Sequence, residues 1–426
     1  MIEIIAAVAG LLGVSAKDLT KAVTDVRDRK SKEKIERRRE KESIYANQKN
    51  ITEVLTRYYE ASSVSGNLSR YSAIIDGAIL DTTIFTSEKY LSLFEDPRDM
   101  SVFLTDHSLT SSNQQIIPQA VVDYAPEAIE RLESMGVKLW NQHLYRLLKI
   151  SNDSNLSLTF SLTDFFSYRF TSGFLGDELI DALVVLEGST DKIFTNPQVH
   201  LPIRAAIMPD LAYIDDFYTR ICAGGIGVLL AIARGAPYDD FLIPLQVRSS
   251  SVSDGRNQLA VLPKAFHQPV VGSGEEVGLY CTLLREVFEE VYGHPEVEHE
   301  SPKIKHDWYI DEEPGVAYLR DHLGAYSLEV LGFALNAVAG NYDFGMLLAI
   351  RDTWYWNTFG SKLAKNWEAK NLILISSRDE ARIKDILTGY NWANESIPHV
   401  VEGLLRLKQI EPKKVKLPDI QRSLVS

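Results

Sequence analysis

The chain has 426 residues, 45% hydrophobic and 24% charged, proportions of a globular protein with one large or two medium cores. A formal net charge of −13 argues against a body that wraps nucleic acid, whose phosphates it would repel, but not against nucleotides bridged to acids by a divalent cation. Two cysteines, Cys222 and Cys281, cannot make a disulfide framework, which fits a reducing, cytoplasmic setting.

Residues 2–14 are apolar, but Glu3 interrupts them and they fall short of the ~20 residues that span a bilayer. They also lack the basic leader of a signal peptide, and no membrane span is expected elsewhere. Over residues 8–23 a Gly-Val-Ser turn separates two short helical segments. That pattern is compatible with a helix-turn-helix, so DNA contact stays open, although a charged run follows where a third core helix would stand. Residues 17–43 are dominated by charge without an apolar heptad and read as a solvated helix. Residues 1–48 therefore form a helical arm with an apolar tip. The tip needs cover from a second copy through residues 1–43, a partner protein, a membrane surface or its own fold.

Residues 49–195 read as an α+β domain. A helix is expected at 51–59, apolar runs lie at 71–79 and 101–104, and a second helix at 125–135. A turn at 152–155 precedes the alternating strand 156–162. Asp177, Glu178 and Asp181 fall on a predicted helix with the spacing of a solvated face.

From residue 199 strand signals become dense: 201–208, 225–233, 241–247 and 259–262, divided by Gly, Pro, Asp or Ser clusters. Gly224, Gly225 and Gly227 precede an apolar run instead of joining a strand to a helix, so they mark a strand start, not a dinucleotide fingerprint. Val277, Tyr280, Cys281, Leu284, Val287, Phe288 and Val291 then recur at three- and four-residue intervals, predicting a helix over about 275–292. Glu286, Glu289 and Glu290 fall opposite that stripe at i, i+3 and i+4. Carboxylates so spaced can hold a divalent ion against a diphosphate, and the same spacing describes any solvated helix face. Beyond it come a helix at 316–323, strands at 327–335 and 345–351, and a helix at 397–407. Four of the six tryptophans lie between Trp354 and Trp392, suited to stacking a base or to filling a core. A basic tail covers 412–418.

The run Arg285-Glu286-Val287-Phe288-Glu289-Glu290 resembles the second half of a Nudix box residue for residue. The closing glycine comes one place late, at Gly293. The first family glutamate falls on Val277 with Glu276 adjacent, and the first glycine on Val271 with Gly272 adjacent. The family's Pro-Gly-Gly turn reads Pro263-Lys264-Ala265, so a bound diphosphate would be held differently, by Lys264 or His267. The resemblance implies a Nudix-like α/β/α sandwich over residues 196–426. It implies Mg²⁺ or Mn²⁺ on Glu286, Glu289 and Glu290 with Glu276, a metal-activated water attacking phosphorus, and Arg285 orienting a glutamate. Glu289, Glu290 and Arg285 are then the catalytic group, and the substrate is a nucleoside diphosphate derivative. The segment order is also similar to bacterial regulator-like proteins with an embedded, degenerate Nudix domain. This implies the alternative: a nucleotide sensor signalling through its arm by self-association or DNA contact.

Overall fold

The structure, a computed structural model, describes residues 2–29, 32–45, 47–60, 68–105, 117–134, 139–152, 155–249, 256–270, 276–297, 307–364, 366 and 368–425. Val271, Gly272 and Trp367 lie outside them.

Helices α1 (Ile2–Leu12) and α2 (Ala16–Asp28) are the helix pair expected from the sequence. Gly13 turns the chain at a φ of 67°, and Ser15 caps α2 by accepting the Asp18 N–H at 3.3 Å. Ile5, Val8 and Ala9 on α1 and Leu19 and Val23 on α2 are buried in the main core. The apolar tip is thus covered by its own fold. Helix α3 (Lys32–Tyr45) has no apolar stripe and is held by charge instead: Arg38 pairs with Asp181 and with Glu127 at 3.1 Å, and Lys41 with Glu187 at 2.8 Å. The charged run is therefore docked, not a free stalk. Helix α4 (Gln48–Glu60) buries Ile51, Val54, Leu55 and Tyr59 at helical spacing.

A hairpin of β1 (Ser69–Ile75) and β2 (Ala78–Thr86) turns at Asp76 and Gly77, both at positive φ as a tight two-residue hairpin requires. Strands β3 (Leu91–Glu95) and β4 (Ser101–Thr105) and helix α5 (Gln119–Ser134) follow. Strands β5 (His143–Asn152) and β6 (Leu156–Asp164) pair antiparallel, with β4 parallel on β6, in a small second sheet. Next come α6 (Phe165–Arg169), α7 (Phe174–Val185), α8 (Thr190–Thr195), α9 (Pro197–His200) and α10 (Pro202–Ile207). The strand expected at 201–208 is this last helix. Pro202 presets φ at its first position, and Glu178 on α7 accepts the Ile203 and Arg204 N–H groups at 2.5 and 3.0 Å. Apolar residues alone could not report that cap.

The chain then enters β7 (Gly224–Arg234), β8 (Asp240–Arg248), β9 (Leu259–Val261) and β10 (Lys264–Phe266). Helix α11 (Leu279–Glu286) runs directly into a wider π turn at Val287–Val291. After α12 (Trp308–Glu312) and α13 (Pro314–Asp321) come β11 (Tyr326–Asn336), β12 (Asn341–Ile350), α14 (Thr353–Phe359), β13 (Ala369–Ser376), α15 (Glu380–Gly389), α16 (Ser396–Ile410) and β14 (Ile420–Val425).

The main sheet runs β13-β8-β7-β12-β11-β2-β1-β14 and is antiparallel except where β12 lies parallel to β7. Strand alternation sends Ile226, Val228 and Leu230 to the face packed with Leu283, Leu284 and Val287. It sends Leu229 and Ala231 to the face packed with Val400 and Leu404 of α16. The result is an α/β/α layering of mixed class. The approach of α16 is close: a Cβ at Gly227 would lie 2.0 Å from the His399 ring nitrogen. The sheet also runs across the boundary expected at residues 195/196, because β1 and β2 extend it beyond β11 and β14 returns to pair with β1, Ile75 opposite Ile420. Strand β14 is largely exposed and so carries no apolar period to announce it.

Candidate functional site

Arg285 fixes the geometry of the site. It is 1% exposed and donates to the Gln268 carbonyl at 3.0 Å, the Phe266 carbonyl at 3.3 Å and the Glu286 carboxylate at 2.5 Å. One guanidinium thereby joins α11 to the segment that follows β10. The π turn follows at Val287–Val291, and β10 and the segment near Val297 cover its outer side. Glu286, Glu289 and Glu290, expected opposite the buried stripe, are only 3%, 4% and 2% exposed. Glu289 accepts the Val297 N–H and Glu290 the Lys264 N–H, each at 2.7 Å.

Glu286 and Glu289 line a cleft of about 130 Å³ together with Glu296, Asp343, Glu368, Arg248 and Lys264. The cations are shared with acids: Lys264 pairs with Glu395 at 2.8 Å and Arg248 with Glu368 at 3.4 Å. Acid remains in excess. Burial pushes the Glu286 carboxyl up to about 7 against the opposing pull of Arg285, with Glu368 and Glu296 adding to the rise. Burial and then Glu286 hold Glu289 well above the usual carboxylate range, and burial, Glu368 and Glu286 do the same to Glu290. Hard, mutually repelling oxygens are the donor chemistry of Mg²⁺ and Mn²⁺. As they stand, each is turned onto a protein donor. Among the described residues no three carboxylate, histidine or cysteine side chains are grouped as a metal's ligands.

The other expected residues fall differently. Lys264 lines the cleft. Glu276 does not; it is buried and accepts the Val270 N–H at 2.8 Å. His267 is fully buried, its ring 4.4 Å from that of Tyr145 and 4.8 Å from that of Phe160, with the Tyr342 hydroxyl 3.3 Å from Nδ1. Burial and the nearby Arg285 charge push its pKa down to about 3, so it packs as a neutral ring. It makes no wall of the cleft, in place of the phosphate contact expected of it. The cause is its backbone, which extends the sheet ladder: its N–H donates to Gly224 and its carbonyl accepts from Tyr145. Of the described tryptophans from Trp354 to Trp392 none lines the cleft: Trp392 is buried in the core and Trp354 stacks on Tyr318.

Sequence reasoning missed Arg248, Asp343, Glu296, Glu368 and Glu395. They come from separate strands, loops and the start of α16, and only the sheet order brings them together. Asp343 alone left a local trace, an acid within an otherwise apolar strand. Neither a protein-family model nor a curated protein sequence matches the chain. No helix among the described residues is long and apolar enough to cross a membrane.

Proposed function

We propose that the cleft binds Mg²⁺ or Mn²⁺ together with a nucleotide carrying a diphosphate, and that the chain is a metal-dependent hydrolase of such nucleotides, of Nudix type. The observation that supports this reading is the burial of Glu286 and Glu289 in the wall of one cleft where acids outnumber cations, with Glu290 buried on the same helical run. Buried like charges destabilise a fold, and groups so perturbed gather at functional sites. A bound divalent ion would neutralise both the acids and the diphosphate and ease attack by water on phosphorus. The chain's own part is to orient and to move protons. Arg285 fixes Glu286 and the β10 loop in one frame. Lys264 and Arg248 offer cations to phosphate oxygens. Glu286, with its carboxyl near pH 7, is poised to take a proton from water.

A second reading is a nucleotide sensor without turnover. It draws support from the hydrogen bonds that engage Glu289 and Glu290 and from Lys264 at a position where the Nudix pattern has glycine. A screen of nucleoside diphosphate derivatives, beginning with ADP-ribose, separates the two. Hydrolysis predicts Mg²⁺- or Mn²⁺-dependent product that Glu289→Gln lowers by at least ~100-fold. Binding without product, or product that Glu289→Gln leaves unchanged, would remove the hydrolase.

A further inference from the structure

Among the described residues, the two ends of the main sheet's strand order are finished differently. At one end β14 exposes Gln421, Arg422 and Ser423, and Arg422 reaches back to Glu402 at 2.7 Å. A polar, charged edge strand resists pairing with another chain. At the other end stands β13. The devices that blunt an edge, a lysine and a bulge, fall together at its Lys370 and stop there. From Asn371 to Ile375 the strand is uncharged, and Leu374 keeps 52% of its surface exposed.

A second copy of the chain fits this edge by symmetry. Strand alternation puts Leu372 and Leu374 on the face shared with α11, and Ile373 and Ile375 on the face shared with α16. The inner side of the strand is taken by β8, Ile373 opposite Leu245. On the outer side, a two-fold axis through Ile373 sets Leu372 of one copy opposite Leu374 of the other in antiparallel register. The leucines of both copies then gather into one apolar patch, and Lys370 falls opposite Ser376, so no like charges face each other. The strand end that carries Glu368 meets the end of the second copy that carries Arg378, which complements charge at both limits of the contact. Glu368 also lines the cleft, so the contact borders the cleft of each copy.

We infer that the chain forms a two-fold dimer by antiparallel pairing of β13 with β13 of a second copy, which continues the main sheet across the axis. Like edges pair in a closed dimer, whereas β13 paired with β14 of the next copy would generate an open chain of molecules. The polar edge of β14 disfavours that alternative.

The test is analytical sedimentation of the full chain over about 1–100 µM, on wild type, Leu374→Lys and, as a control on the other edge, Ser423→Lys. Wild type is expected at twice the chain mass. Leu374→Lys sets a lysine against Leu372 and should weaken the dimer at least ~10-fold, while Ser423→Lys stays within about threefold of wild type. Leu374 and Ser423 are exposed, so neither substitution opens a core cavity. Register is read from Ile373→Cys, which should join to its own copy as a disulfide under oxidised glutathione where wild type does not. A wild type that stays monomeric throughout overturns the inference. So does a dimer that Leu374→Lys leaves intact or that Ser423→Lys weakens equally, a series of oligomers growing with concentration, or a dimer in which Ile373→Cys forms no cross-link.

Discussion

Two acidic clusters in this molecule look alike in sequence and differ in charge balance. On α7, Asp177 and Asp181 face Arg131, Arg169 and Arg38: Arg169 lies 2.7 Å from Asp177 and Arg131 2.8 Å from Asp181. Burial opposes ionisation of Asp177, but Arg169 and Arg131 outweigh it and hold its pKa below the ordinary aspartate range. Their neighbour Glu178 caps α10. On α11 and its π turn, three glutamates are buried more deeply than Asp177 and Asp181, with Arg285 the one arginine on their own helix, and their carboxyls are pushed up. Both clusters take acids out of water, and the sum of charge around them sets the two apart.

The contrast can be broken most strongly at Arg131. Replacing it with methionine leaves Asp177, Asp181 and Glu42 without a cation they share, and chemical denaturation should show a loss of about 3–5 kcal/mol. A loss below about 1 kcal/mol would mean that the two clusters are not opposites. At Glu289 the prediction inverts. Glu289→Gln removes a buried repulsion, so turnover falls by the ~100-fold stated above, while stability without metal holds or rises by up to ~1 kcal/mol. Loss of stability and turnover together would make Glu289 a scaffold residue.

A smaller effect sharpens the same contrast through pH. Glu286 titrates near 7 in the folded chain, above the ordinary glutamate value. A folded pKa raised above the unfolded one contributes stability that is complete below the unfolded pKa and lost as pH rises through the folded pKa. Without metal, stability should therefore fall between about pH 5 and 8, with Glu286 contributing on the order of 2 kcal/mol and Glu289 and Glu290 acting in the same direction, and Glu286→Gln should reduce that slope. Asp177 runs the other way. Its contribution is present above the ordinary aspartate value and is lost only in stronger acid. A wild type whose stability is level from pH 5 to 8 would show that the α11 acids are not uncompensated.

Local periodicity carried the layered core: the central strands, α11 and α16 all lie where apolar spacing put them. It failed where a distant residue decides the backbone. Pro202 and the Glu178 cap turned an expected strand into a helix, and β14 formed because β1 offers an edge. The site was legible as far as its own helix, at Arg285, Glu286, Glu289 and Glu290. The cations and acids around them sit on elements brought near by strand order, and no spacing along the chain encodes that. Even the helix was misjudged in one respect. Its acids face inward because β10 and the segment near Val297 cover them, which a helical wheel cannot see.

The most direct measurement is a Mn²⁺ titration at pH 7, by calorimetry in two buffers of different ionisation enthalpy, on wild type and on the Glu286→Gln/Glu289→Gln double variant. An acid cluster that takes up a cation predicts one saturable site, proton release on binding because a raised carboxyl must ionise, and loss of both in the double variant. Absence of saturable binding in wild type, or binding that the double variant retains with the same proton release, would contradict it.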